Sequence, residues 1–104
     1  MAQPQGARDA VTADPEHYTV EVENERVRVL RVRYGPREKS PMHSHPALVA
    51  VFLTDVRAGF SYPDGTTEEI PGHAGQVVAM PATTHVTENL SDQPFEVILV
   101  EQKA

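Results

Sequence analysis

Along most of this chain, apolar and polar positions alternate in short runs, and no window repeats with the spacing of an amphipathic helix. The first run is Tyr18–Glu23, closed by Glu-Asn-Glu at 23–25. In Val27–Tyr34 the apolar parity changes from Val27 and Val29 to Leu30, Val32 and Tyr34, which predicts a β-bulge within that strand. Gly35-Pro36 breaks the chain, and 39–45 leads into 48–54. The runs 56–62 and 66–70 flank Pro63-Asp64-Gly65, a turn sequence, and predict a hairpin. After Pro71-Gly72 and Gly75, the runs 76–80, 85–89 and 95–101 complete the series. Short strands separated by closely spaced turns predict an all-β antiparallel sandwich or barrel. Residues 1–15 show no periodicity and read as a flexible N-terminal tail, either loose or laid over a neighbouring surface. Residues 16–104 are expected to form the folded domain.

Composition narrows the chemistry. The 104 residues suit one core, and the absence of cysteine removes thiolate nucleophiles and zinc–thiolate sites. A net charge of −6 argues against nucleic acid or an anionic membrane as partner, since both select for clustered Lys and Arg. The basic stretch Arg26, Arg28, Arg31 and Arg33 is interleaved with apolar residues and reads as the solvated side of a strand. No apolar run approaches the roughly 20 residues that cross a bilayer. The polar segment 1–11 does not read as a signal peptide, so a cytoplasmic location is expected.

Candidate chemistry centres on histidine. His43 and His45, one residue apart in a predicted strand, leave the same face and can reach one cation. A third ligand must come from another strand, and His85, after the turn Pro81-Ala82-Thr83-Thr84, is the best candidate. His17 and His73 read as solvated surface residues. Ser40, Ser44, Ser61 and Ser91 lack a nucleophile-elbow context, and adjacent Glu68 and Glu69 face opposite sides of a strand.

These residues carry a family resemblance. Gly35 followed by His43-Ser44-His45 resembles the first cupin motif. Gly75 through Pro81, His85 and Asn89 resembles the second, with Thr83 replacing its usual small glycine. The resemblance implies a cupin-type antiparallel jelly-roll β-barrel with one divalent transition metal on His43, His45 and His85. Cupins commonly add a Glu ligand after the histidine pair; Val49 falls there, and valine cannot ligate.

Three neutral ligands leave the full dipositive charge on the metal, which favours a small anionic or bidentate substrate. The protein is similar to three-histidine cupin dioxygenases that cleave β-diketones or oxidise small thiols, which favours Fe(II). Imidazole also suits Zn, Ni and Cu, and Mn remains open. A non-redox lyase, isomerase or hydrolase, or a binding cupin without turnover, are the alternatives.

Val49, Val51, Phe60 and Met80 are candidates for the cavity wall, with Phe52 on the opposite parity. Thr87 and Asn89 share the parity of His85, Asn89 as support for a ligand or as a strand-end amide. If His43 and His45 point inward, alternation carries Val49 and Val51 inward and turns Leu48, Ala50 and Phe52 outward. A face so apolar needs a cover, so a homodimer is expected.

Overall fold

The computed structural model describes residues 8–103. Ten strands and one helical turn follow in the order β1 (Arg8–Asp9), α1 (Ala10–Ala13), β2 (Tyr18–Glu23), β3 (Val27–Tyr34), β4 (His43–His45), β5 (Leu48–Phe52), β6 (Val56–Ser61), β7 (Thr67–Gly72), β8 (Val77–Met80), β9 (Thr83–Asn89) and β10 (Phe95–Gln102). They form two five-stranded sheets, β1-β4-β9-β6-β7 and β2-β3-β10-β5-β8. The sheets do not close into the expected barrel; this is a jelly-roll sandwich.

The chain crosses between sheets after β1, β3, β4, β5, β7, β8 and β9; only β2–β3 and β6–β7 are consecutive strands within one sheet. One inner face carries Leu30, Val32 and Tyr34 from β3, Leu48, Ala50 and Phe52 from β5, and Phe95, Val97 and Leu99 from β10, all buried. Each large apolar side chain fully buried there contributes about 1.5–3 kcal/mol. The predicted hairpin is present as β6 against β7. At its turn Gly65 adopts φ +90, a conformation that glycine takes without steric cost. Gly72 leaves room for Phe52, because a Cβ there would overlap the Phe52 ring.

Two expectations need correction. The bulge is not in β3, which pairs with β10 without interruption. It lies on the neighbouring β2, where the register shifts between Val20 and Val22 opposite Leu30 and Val29. The parity of β5 is also inverted: Leu48, Ala50 and Phe52 face the core, while Val49 is 38% exposed. The physical reason is the Pro46-Ala47 link, where the chain leaves one sheet for the other. Strand alternation does not carry across such a corner.

Residues 8–14, read from sequence as part of the tail, are built into the sandwich. Arg8 and Asp9 pair in parallel with His43 and Ser44, and Ala10 is fully buried. Residues 1–7 lie outside the described residues. Among the described residues no helix is long and apolar enough to cross a membrane.

Candidate metal centre

Strand geometry assembles the site. His43 and His45 project from one face of β4, and His85 on β9 is the direct cross-strand partner of His43. The three residues are 0%, 5% and 3% exposed, so water does not solvate their rings. Each offers a ligand nitrogen, and these atoms lie within 4.8 Å of one another. The rings are mutually edge-on, with centroids 4.8, 4.9 and 5.4 Å apart.

Burial, reinforced by repulsion from His45, pushes the His43 imidazole down to about 4. Burial, then His43 and His45, takes His85 down to about 3. Both rings are therefore neutral near pH 7, the form in which imidazole binds a metal.

Neighbouring groups fix the two rings of β4. His43 Nδ1 lies 2.9 Å from the Pro41 carbonyl, which can only accept, so Nδ1 carries the proton and Nε2 presents its lone pair. His45 Nδ1 lies 2.7 Å from Glu101 Oε2 and is oriented in the same way. Glu101 is 1% exposed, and its other oxygen accepts from Arg28 Nη2 at 2.8 Å and Nε at 3.1 Å. Arg28 Nη2 in turn lies 3.0 Å from Asp9 on β1. Arg28 is thus an interior anchor, unlike the solvated residue expected from sequence; Arg31 and Arg33 do face outward, paired with Glu96.

The donor set fits a divalent ion. His85 Nδ1 is buried with no hydrogen-bond partner, an arrangement costing about 1–3 kcal/mol that a site built for coordination can tolerate. Glu101 supplies a carboxylate on His45 Nδ1, the usual companion of a metal-binding imidazole.

His45 and His85 line one side of a largely apolar cavity of about 60 Å³, and the His43 ring is in contact with both of them. Phe60, Met80 and Thr87 line it, and the Phe60 ring centroid is 4.0 Å from that of His85. Val49 and Val51 do not line it, because the inverted parity of β5 turns them out and puts Leu48, Ala50 and Phe52 in the wall. Asn89 is fully buried but spends its amide elsewhere. Its nitrogen donates to the carbonyls of Gly35 at 3.0 Å and Gln93 at 2.7 Å, and its oxygen accepts from the Ser91 backbone N–H. Asn89 is a strand-end tie for two loops.

Sequence reading missed Glu101, Tyr18 and His17. The Tyr18 hydroxyl lies 3.3 Å from His43 Nε2 and 2.8 Å from the Tyr34 hydroxyl. Burial, then Tyr34, pushes Tyr18 well above the ordinary phenol range, so it stays a neutral phenol. His17, expected at the surface, is 8% exposed and stacks on Tyr34 at 4.1 Å. Its nitrogens meet Asp14 at 2.7 Å and Glu38 at 3.0 Å. Burial alone would lower its affinity for a proton; the two carboxylates outweigh it, and the pKa is raised. His73 is exposed, as expected.

No family model and no curated protein matches the sequence. Solved structures do. A cupin domain from Bordetella pertussis Tohama I is 29% identical, with a TM-score of 0.77 over 84% of this chain and 92% of that one. Bacillus subtilis oxalate decarboxylase, a protein with Mn(II) centres, is 22% identical with a TM-score of 0.59, over 76% of this chain and 22% of its own. A chain from a study of DMSP lyases is 20% identical with a TM-score of 0.55, over 75% and 39%. The fold is shared with these cupin domains, and the three motif histidines converge inside it.

Proposed function

We propose that this protein is a metal-dependent cupin enzyme acting on a small anionic or bidentate molecule, with His43, His45 and His85 as the metal ligands. The observation that carries the proposal is the convergence of three buried imidazoles, two of them pushed to their neutral form, beside a largely apolar cavity that His45 and His85 line. When bound, iron(II) would supply electrons to dioxygen, whereas zinc or manganese would supply Lewis acidity. The chain's own residues do the rest. Pro41 and Glu101 orient the ligating rings, and Leu48, Phe52, Phe60 and Met80 exclude water. The cavity has room for only a few waters, which selects a substrate of few heavy atoms and disfavours quercetin-sized ones.

The first reading is a three-histidine iron dioxygenase. A non-redox lyase or decarboxylase is the second, favoured by the names of two similar structures. Anaerobic iron(II) loading followed by oxygen-uptake assays with small β-diketones and small thiols separates them. Substrate-dependent uptake supports the dioxygenase. Turnover with zinc or manganese and no oxygen supports the lyase, and stoichiometric metal without turnover leaves a binding cupin. Failure to retain any divalent metal removes all three.

We also propose that the expected homodimer forms through the outer face of the second sheet. Register aligns Ala79, Val49, Val100, Val29 and Val22 in one apolar row across all five strands, with Val77, Val51 and Ile98 in the next. A face of five strands about 4.8 Å apart and roughly 20 Å long offers about 500 Å² per copy, near the lower bound for a specific dimer. Sedimentation of the wild type and Val49→Glu tests this: a dimer lost in the variant supports it, and a monomeric wild type overturns it.

A further inference from the structure

The cavity wall is apolar except for the histidines and a few hydroxyls, and one of those hydroxyls is placed by a hydrogen-bond chain whose direction can be deduced. His43 Nδ1–H donates to the Pro41 carbonyl, so His43 Nε2 is an acceptor. The Tyr18 hydroxyl, 3.3 Å away, must therefore donate to it. The Tyr18 oxygen is then free to accept, and the Tyr34 hydroxyl donates to it at 2.8 Å. Tyr34 is itself immobilised between the stacked rings of His17 and Phe95, at 4.1 and 5.1 Å. The chain runs one way, from Tyr34 to Tyr18 to His43.

A metal ion on His43 Nε2 would take the lone pair that Tyr18 now uses. The phenol would lose that acceptor and stand, with the Tyr34 and Thr87 hydroxyls as its other neighbours, beside a cation whose remaining positions are open. We propose that Tyr18 is the ligand-recognition residue of the centre, donating a hydrogen bond to a small anion held by the metal. The proposal rests on the metal-centre reading above and deepens it, because it names the recognised chemistry: an anionic acceptor atom next to the metal. Tyr34 acts as a positioning residue, holding the Tyr18 oxygen by donating to it. A neutral substrate with no acceptor atom would gain nothing from the phenol, so the same residue favours anions over it.

The test uses the full chain loaded with cobalt(II) and titrated with azide, followed by the visible spectrum. Tyr18→Phe is expected to retain one cobalt per chain and to bind azide about ten- to a hundred-fold more weakly, the loss of one hydrogen bond to a charged acceptor. Tyr34→Phe, which keeps the Tyr18 hydroxyl, should lose only a few-fold. Equal azide affinity in wild type and Tyr18→Phe overturns the proposal. Loss of cobalt from Tyr18→Phe also overturns it, because the phenol would then be a ligand and not a donor. Nitrogen-15 imidazole spectra of the metal-free wild type provide a readout that needs no variant: His43 Nε2 should be unprotonated and hydrogen-bonded, and a protonated Nε2 overturns the deduced direction. If the wild type takes up no cobalt, the metal reading itself fails; if it does and azide affinity is unchanged, only the role of Tyr18 fails.

Discussion

His17 and His85 are both buried, and both belong to the sandwich interior, yet their affinities for a proton are shifted in opposite directions. His17 keeps a carboxylate against each ring nitrogen, and the two outweigh its burial and raise its pKa. His85 has Phe60 over its ring and two other imidazoles beside it, and its proton is expelled. Burial acts in the same direction on both, so the partners decide. A pair of carboxylates favours the protonated ring, whereas apolar and imidazole neighbours favour the neutral ring whose lone pair a metal could use.

The largest test of this contrast is deletion. His85→Ala, like His43→Ala, should abolish stoichiometric metal binding, read by elemental analysis, while His17→Gln should leave the metal content intact. Retention of tight metal by His85→Ala would show that residue 85 is no ligand. Next in size is Glu101→Gln, which keeps the shape but weakens the acceptor at His45. A metal affinity 10- to 100-fold lower is expected, measured by competition with a chelator.

The pH dependence of stability should separate the two sites further. His43 and His85 bind protons less readily folded than unfolded, so stability is full above about pH 6.5 and falls as pH drops toward about 4. His17 has the reverse sign: its contribution is present below about pH 6.5 and is lost as pH rises through its raised folded value. Urea midpoints across pH should show both slopes in the metal-free protein, and His17→Gln should remove only the alkaline one. The smallest expected effect is on the centre of Val49→Glu, whose metal spectrum should match the wild type because residue 49 faces outward. Ala50→Glu, by contrast, should alter that spectrum, since residue 50 faces the cavity.

Much of this architecture was legible before any coordinates. The strands follow from alternation and turn residues, and the three histidines follow from spacing within two motifs. The failures have a common origin in places where local periodicity stops. Val49 and Val51 were misplaced because Pro46-Ala47 carries the chain from one sheet to the other and resets which face is inward. His17 looked solvated because its partner Glu38 is 21 residues away, a separation no local pattern reports. Glu101 is different, since its signal was present: it shares the parity of Phe95, Val97 and Leu99, all buried, and a carboxylate continuing an apolar face needs a charged or hydrogen-bonding partner.

The size of the chamber has a consequence for how such a protein could change its diet. A divalent ion on three imidazoles tolerates many reactants, but a space of about 60 Å³ admits few of them. On the proposed function, discrimination would fall to Leu48, Phe52 and Met80, which line the cavity and carry no metal-binding atom of the proposed site. Trimming or enlarging those bodies would alter what enters without touching the metal, so new specificities lie only a few substitutions away along the wall.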